Sequence, residues 1–373
     1  MNATDRLFET PPFADSPAER SPFLESLREC AAVHHAGNRL IRGLWDRAGL
    51  RPADVMSEDM LERIPPVMVH LFKEHSLRTG DASDVVLTLT SSGTGGRKSR
   101  IFLDQVSLDR VRRLAWQIHA ALGMCSDDEV RYLCFTYDPA VAADLGTAFT
   151  DQLLTSHTRR KEVVYAIRWD ERRQDFHLDV PGTVATLKRF AAGDAPVRIL
   201  GFPAHLYKIL KNHDLRLQLP PDSWLQTGGG WKGFADEEIP KERFRKFVFE
   251  RLGIPPERQR DMFGMVEHGI PYCDCERGRL HVPNYSRVLI RSPRDLRPLP
   301  EGETGLIQFI SSHLNSYPSF CLLTTDHGRL GRCDCGRPGP TLEVLGRAGI
   351  QKHKGCALAA ARLLEATAEE VVA

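Results

Sequence analysis

Two short β-prone runs, Val85-Val86-Leu87-Thr88-Leu89-Thr90 and Ile101-Phe102-Leu103, are joined by Ser91-Ser92-Gly93-Thr94-Gly95-Gly96-Arg97-Lys98-Ser99-Arg100. This segment constrains the chain more than any other. Three glycines expose backbone N–H groups, the hydroxyls of Ser91, Ser92 and Thr94 add donors, and Arg97, Lys98 and Arg100 add positive charge. Held between two strands, such a bend can wrap a polyphosphate with donors that carry no bulk. The same residues could also be a hairpin turn rich in Ser and Gly. The pattern is not a Walker A loop, which needs four residues between its glycines followed by Gly-Lys-Ser/Thr.

Around this bend, strand-like and helix-like periods alternate. Leu108 to Leu122 has helical spacing, and Tyr132–Phe135 and Val163–Ile167 read as strands. A helix is expected around Val184–Ala192, then strand Val197–Gly201, then a helix opened by Pro203. Such alternation predicts an α/β fold with layered sheets. From about Ile270, short apolar segments punctuated by Gly and Pro predict a small antiparallel β subdomain. Ahead of the bend, Pro22 to about Leu50 reads as two helices split at His34-His35-Ala36-Gly37, and Ile64-Pro65-Pro66-Val67-Met68 is extended. The first 23 or so residues, rich in Pro, Ser, Ala and Asp, are expected to form a loose peripheral arm. Leu358–Val372 reads as one helix. The expected segments are therefore 1–60, 61–270, 271–347 and 348–373.

A length of 373 residues gives room for about two domains. The 50 Lys+Arg against 49 Asp+Glu leave a formal charge of +1, which offers no electrostatic reason to expect nucleic acid or an anionic membrane as partner. No apolar run approaches the ~20 residues of a membrane span. The polar start Met1-Asn2-Ala3-Thr4-Asp5-Arg6 does not resemble a secretory signal. A soluble, cytoplasmic protein is expected.

Nine cysteines cannot all pair, so free thiols, metal ligands or nucleophiles are expected. Cys125, Cys134 and Cys321 stand beside apolar residues, as buried thiols do. Cys273-Asp274-Cys275, followed by His281, and Cys333-Asp334-Cys335-Gly336 form two Cys-x-Cys pairs suited to tetrahedral Zn²⁺, or else plain reduced thiols. Cys356 stands alone near the C-terminus, after Lys352 and Lys354 and at the start of the last expected helix. Nearby cations and a helix N-terminus both favour a thiolate.

The bend from Ser91 resembles the phosphate-binding signature of adenylate-forming enzymes (acyl-CoA synthetases, luciferases and carrier-protein adenylation domains), usually Ser-Ser-Gly-Thr-Thr-Gly-x-Pro-Lys. Here Gly95 replaces the second Thr and Lys98-Ser99 replaces Pro-Lys. The ending Ser99-Arg100-Ile101, followed by Asp104, is closer to the acyl-protein synthetases of bacterial bioluminescence, the LuxE type. Other segments match in the expected order. Gly201-Phe202-Pro203-Ala204-His205 resembles the turn lining the acyl pocket, and Thr227-Gly228-Gly229-Gly230-Trp231 resembles the adenine-side loop. Phe263-Gly264-Met265-Val266-Glu267 resembles the element whose ring stacks on adenine and whose carboxylate holds Mg²⁺. Thr324-Thr325-Asp326 resembles the ribose-binding Thr-Gly-Asp, with Thr325 in place of Gly. Gly346-Arg347 resembles the hinge-preceding Gly-Arg, whose guanidinium reaches ribose or phosphate.

The resemblance implies the large N-terminal domain of an adenylate-forming enzyme, with the C-terminal lid domain truncated or absent. Residues 61–270 would be the nucleotide- and acyl-binding core, and 271–347 a β-rich part with zinc knuckles. It further implies that ATP and Mg²⁺ activate a fatty or aryl carboxylic acid as an acyl-adenylate. Ser91, Ser92, Gly93, Thr94, Gly95 and Gly96, with Lys98 or Arg97, would hold the phosphates, because displacement at phosphorus needs charge neutralisation. The acyl group would pass to Cys356 or to an acceptor thiol, on CoA or on a carrier or reductase partner. Arg347, Lys98 and Cys356 are the candidate catalytic residues. With the lid lysine missing, Lys352, Lys354 or Arg100 would replace it, or the first step would be slower. Phenylacetate-CoA-ligase-like relatives carry a structural zinc here, which favours Cys275, His281, Cys333 and Cys335 as ligands with Cys273 in reserve. The rival readings are an acyl- or aryl-CoA ligase and a non-catalytic scaffold that binds an adenylate or a carrier protein.

Overall fold

The computed structural model describes residues 2–14, 16–91, 98–142, 145–231 and 234–347. The calls on Ser92, Gly93, Thr94, Gly95, Gly96 and Arg97, and on Lys352, Lys354, Cys356 and the final helix, lie outside the described residues.

The alternating segments build a seven-stranded sheet in the order Tyr272–Cys273, Gln259–Phe263, Trp224–Gly228, Val197–Gly201, Glu129–Tyr137, Arg159–Asp170, Asp175–Leu178. The five inner strands are parallel and the two edges antiparallel. Val197–Leu200 is buried on both faces, as the centre of a parallel sheet requires. From Glu129–Tyr137 the chain goes first to Arg159–Asp170 on one side, then to Val197–Gly201 on the other. This reversal opens a crevice at the carboxyl ends of the strands.

One face of this sheet, with Leu133, Phe135, Ile199 and Leu225, packs on Leu187, Phe190, Leu206, Leu210, Val248 and Leu252 from three helices. The opposite face, reached by the alternate residues, carries Tyr132, Cys134 and Leu200. The second sheet is the expected antiparallel unit, ordered Leu280–His281, Thr341–Arg347, Cys321–Gly331, Gly305–Ser311, Ser286–Arg291. Val67–Met68 joins it in parallel against Cys321–Gly331. The strands Val85–Thr90 and Arg100–Asp104 form a separate hairpin. No described helix is long and apolar enough to cross a membrane.

Two expectations for the N-terminal region are corrected. The first residues are not a loose arm: Ala3–Leu7 is a helix, and Leu7 and Phe8 are buried. Phe8 meets Tyr285 edge-on at 5.2 Å, and Thr4, Ser26 and Ser312 are linked by hydroxyl hydrogen bonds of 2.7 and 2.5 Å. Burying two large apolar side chains, at roughly 1.5–3 kcal/mol each, outweighs the polar composition around them. The helix break falls at Asn38, between Pro17–Gly37 and Arg39–Arg47, rather than at His34–Gly37. The Asn38 side chain accepts from the Leu40 and Ile41 N–H groups and caps the second helix. His34 stays helical because its ring is satisfied inside: Nε2–H donates to the Leu314 carbonyl at 2.9 Å, and Nδ1 accepts from Thr79 at 2.8 Å.

Candidate active site

Three neighbouring parallel strands end at Gly201, Gly228 and Phe263, and each end leads into a segment singled out in the sequence. Gly201 leaves its strand at φ +113°, where a Cβ would lie 2.8 Å from the Phe135 carbonyl oxygen. Glycine alone allows so close an approach. Phe202 then rests on Gly229, where a Cβ would be 2.7 Å from the ring. The loop after Gly228 and the turn after Gly201 are thereby packed together.

The strand ends open on a cavity of about 640 Å³. Ser91, Gly228, Gly229, Phe263, Gly264, Met265, Glu267 and Asp326 line it together with Phe202. Ser91 closes the base of the glycine-rich bend: its N–H donates to the Ser99 carbonyl at 3.0 Å, and its Oγ accepts from the Ser99 N–H at 2.9 Å. Lys98 is exposed beside that base. Glu267 is 5% exposed and Asp326 7%. Both carboxylates line the cavity, and Glu267 offers the hard oxygen ligands that Mg²⁺ takes. Near Glu267, burial and that carboxylate's charge push the Tyr317 phenol up, so it stays protonated. Asp326 is paired in register with Arg347 across two antiparallel strands, and its N–H donates to Thr324 Oγ1 at 3.0 Å. Phe263 stacks on Phe309 with ring centroids 6.0 Å apart.

Behind these residues the cavity continues between the sheet and two helices. Val111, Ala115 and His119 come from Gln105–Ala121, and Phe149, Asp151 and Leu154 from Gly146–Leu154. Thr136, Gln226 and Met262 come from the sheet, one or two residues back from the strand ends. Gly146 lets the second helix start against the site, since a Cβ there would be 2.8 Å from Val266 Cγ2.

Pro203, His205, Gly230 and Trp231 are not brought to the cavity wall. Pro203 opens its helix, as Pro does at a first helical position, and lies buried. His205 is behind Phe202, edge-on to it at 5.6 Å and to Phe234 at 6.1 Å. Trp231 packs on Tyr207 and Phe244.

A second cluster forms away from the cavity. One ligand atom from each of Cys275, His281, Cys333 and Cys335 lies within 4.8 Å of the others. Cys275 and Cys333 sulfurs are 3.7 Å apart, and Cys335 Sγ is 3.2 Å from His281 Nε2. Zinc–sulfur bonds of about 2.3 Å at the tetrahedral angle place two sulfurs about 3.8 Å apart, so the four residues fit that ion. Burial, assisted by Arg337, pulls His281 down to about 4, which leaves its imidazole neutral and able to donate a lone pair. The turn that presents Cys275 closes by a hydrogen bond from the Gly278 N–H to the Cys275 carbonyl, with Gly278 at φ +71°. Cys273 is not with them: its sulfur is 3.6 Å from His119 Nε2, on the cavity side. Cys125 is half-buried, not buried like Cys134 and Cys321, because it follows a helix end in a surface turn.

The family model "Acyl-protein synthetase, LuxE" matches residues 1–364. The chain belongs to the LuxE acyl-protein synthetase family. Similar to it is the long-chain-fatty-acid–luciferin-component ligase of Vibrio harveyi, 26% identical over 329 residues, covering 87% of this chain and 83% of that protein. The ligase of the same name from Aliivibrio fischeri is 25% identical over 311 residues, covering 82% and 80%. Among solved structures, an open conformation of 2-hydroxyisobutyryl-CoA ligase superposes with a TM-score of 0.67 at 17% identity, covering 90% of this chain and 76% of that one. The fold is that of the adenylate-forming ligases, as expected.

Reading the sequence of this acyl-protein synthetase missed the polar residues deep in its cavity: Thr136, Asp151, His119 and Gln226. A faint signal existed for two of them. Gln226 directly precedes the Thr227-Gly228-Gly229-Gly230 run, and Asp151 interrupts the Ala148-Phe149-Thr150-Asp151-Gln152-Leu153-Leu154 segment. Burial pushes the Asp151 carboxyl up to about 7, with Thr136 beside it.

Proposed function

We propose that this ligase uses ATP to activate a carboxylic acid as its acyl-adenylate and then passes the acyl group to a thiol. The observation that carries this reading is that Ser91, Glu267 and Asp326 line one cavity together with the three glycine-marked strand ends. A carboxylate is a poor acyl donor, because its leaving group would be oxide. In the first step a carboxylate oxygen attacks the α-phosphorus and pyrophosphate departs. In the second, a thiolate attacks the acyl carbon and AMP departs.

Each residue's part follows from its chemistry. The bend from Ser91 to Gly96, with Arg97 or Lys98, holds the phosphates. Gly228 and Gly229 leave a flat surface for adenine, and Phe263 stacks on it. Asp326 accepts from the ribose hydroxyls, and Arg347 reaches ribose or phosphate. Glu267 would hold Mg²⁺, which supplies charge neutralisation on the phosphates. Phe202 borders the acyl chain. Cys356 receives the acyl group before a carrier, reductase or CoA thiol does. Cys275, His281, Cys333 and Cys335 would hold a structural Zn²⁺ that joins the two knuckles. In this reading 61–270 is the nucleotide and acyl core, 271–347 the zinc-bearing part, 348–373 the acyl-accepting segment, and 1–60 the N-terminal helices; the setting is the cytoplasm.

The names of the two bioluminescence relatives point to a fatty acid as the first acid to try. The test is an ATP–pyrophosphate exchange screen over fatty and aryl acids, followed by intact-mass analysis for a thioester on Cys356. Exchange with an acid and an acyl mass on Cys356 are expected. Exchange followed by release as acyl-CoA from a Cys356→Ser chain would replace the protein acceptor with CoA, and no exchange with any acid would end the reading.

A further inference from the structure

The depth of the cavity is not lined as a hydrocarbon slot would be. Asp151 is 4% exposed and Thr136 3%, and both contribute to the wall. The Thr136 hydroxyl stands beside the Asp151 carboxyl and stabilises it in part, but neither Asp151 Oδ2 nor Thr136 Oγ1 completes a hydrogen bond of good geometry among the described residues. Thr147 Oγ1, from the same helix as Asp151, is likewise buried and unsatisfied. No Lys or Arg pairs with Asp151 within ion-pair distance among the described residues.

Across the cavity, Gln226 presents a further acceptor, for a reason its neighbours dictate. His119 Nδ1 is 2.7 Å from the Ala115 carbonyl oxygen, which can only accept, so Nδ1 carries the proton. His119 Nε2 is then a lone pair, and the Gln226 group 2.9 Å away must be its NH₂. The amide orientation of Gln226 is thereby fixed, and Oε1 remains as its uncommitted group. Burial holds His119 down at about 4, so this tautomer persists through neutral pH. The acyl end of the cavity thus offers at least two acceptors, Asp151 and Gln226 Oε1, and a Thr136 hydroxyl, between apolar side chains such as Phe149, Leu154 and Met262.

We infer that the acid activated here carries a hydrogen-bond donor, a hydroxyl or an amino group, along its chain away from the carboxylate, and that Asp151 and Gln226 receive it. A plain alkyl chain would seal these groups away from water without a well-formed partner, at a cost of up to roughly 1–3 kcal/mol for a polar group left unsatisfied. A donor-bearing chain satisfies them while its methylenes meet Phe149, Leu154 and Met262. Sites that hydrogen-bond a substrate hydroxyl discriminate strongly against the analogue lacking it. The near-neutral Asp151 carboxyl suits an uncharged hydroxyl, whereas a primary amine would draw it to the carboxylate form. The inference rests on the acyl-site reading above and names the substrate class for it.

The test uses the full chain in ATP–pyrophosphate exchange with matched acids of one chain length: the plain alkanoate, the ω-hydroxy acid and the ω-amino acid, repeated over several lengths. The expected result is a kcat/KM at least about tenfold higher for a hydroxy or amino acid than for the plain acid of equal length. The better of the two arms identifies the donor. Asp151→Leu should bring that ratio to about one, and Thr136→Val should lower it if the first variant fails to fold. A plain acid equal to or better than its donor-bearing partners at every length overturns the inference and leaves the acid-activating function standing. So does an unchanged ratio in folded Asp151→Leu. Exchange with none of the acids overturns both.

Discussion

The Cys335 sulfur lies 3.2 Å from Nε2 of His281, although 54 positions separate them in the chain. His281 ends the short strand Leu280–His281, which pairs with Thr341–Arg347, and Cys335 sits in the turn leading into that partner strand. Antiparallel pairing is what brings the two knuckles together. The protein purified without added metal should therefore contain about one zinc per chain. Cys333→Ser or Cys335→Ser should lose it and melt roughly 5 °C or more below the parent. Elemental analysis and a thermal melt decide this, and a metal-free chain with the parental melting temperature would refute it.

Glu267, in the turn after strand Gln259–Phe263, and Asp326, in strand Cys321–Gly331, line the same cavity. Glu267→Gln and Asp326→Ala should each lower pyrophosphate exchange by about 10²–10³-fold with little change in melting temperature. A loss below threefold in both would remove these carboxylates from the nucleotide site.

Cys356→Ser should separate the two half-reactions. Exchange requires no thiol and continues, while the acyl adduct seen by intact mass disappears. An adduct that persists on another residue would exclude Cys356 as acceptor.

Asp151 sets a pH dependence of stability. Burial raises its carboxyl from 3.8 to about 7, and the neighbouring Thr136 hydroxyl offsets this only in part. Between those values the folded chain keeps a proton that the unfolded chain has released. The favourable contribution of this group is therefore full below about 4 and is lost as pH rises through about 7. Burial, with the Asp151 charge adding to it, pushes Cys134 and Tyr165 up, so both stay neutral over this range. Asp151→Asn, uncharged at any pH, should melt above the parent at about pH 8.5, with the gap closing toward about pH 5. Melting curves across that range would reject the account if the gap were independent of pH.

Gly201→Ala tests the strand-to-helix turn. At φ +113°, with a carbonyl oxygen 2.8 Å from the added Cβ, the variant should lose about 2–4 kcal/mol of stability in urea unfolding. A cost under about 0.5 kcal/mol would mean that the turn relaxes freely.

Much of the fold was legible because its signals are local. Val197–Gly201 followed by Pro203 announces a buried strand and a helix start, and the Gly/Pro-punctuated runs after Ile270 announce an antiparallel sheet. The errors also have local causes. The Pro- and Ser-rich start hides Leu7 and Phe8, whose burial needs Tyr285. The His34-His35-Ala36-Gly37 stretch looks like a break because nothing adjacent in sequence shows that Thr79 and Leu314 satisfy His34.

At the candidate site, the sequence by itself determined the residues whose chemistry needs a particular backbone or ligand type: Gly201, Gly228, Gly229, and the paired cysteines with His281. These demands are written into single residues and short spacings. Only the tertiary structure decided which side chains face one another across the cavity. Residues a helix or a strand apart in sequence, such as Asp151 and Thr136, or His119 and Gln226, meet because two helices cover one face of the parallel sheet. That face follows from the two-residue period of strands in one particular packing. No spacing rule carries it, so the resemblance of whole segments drew Pro203 and His205 toward the acyl pocket and Trp231 toward the adenine side, while the polar groups that line the cavity's depth were left unread.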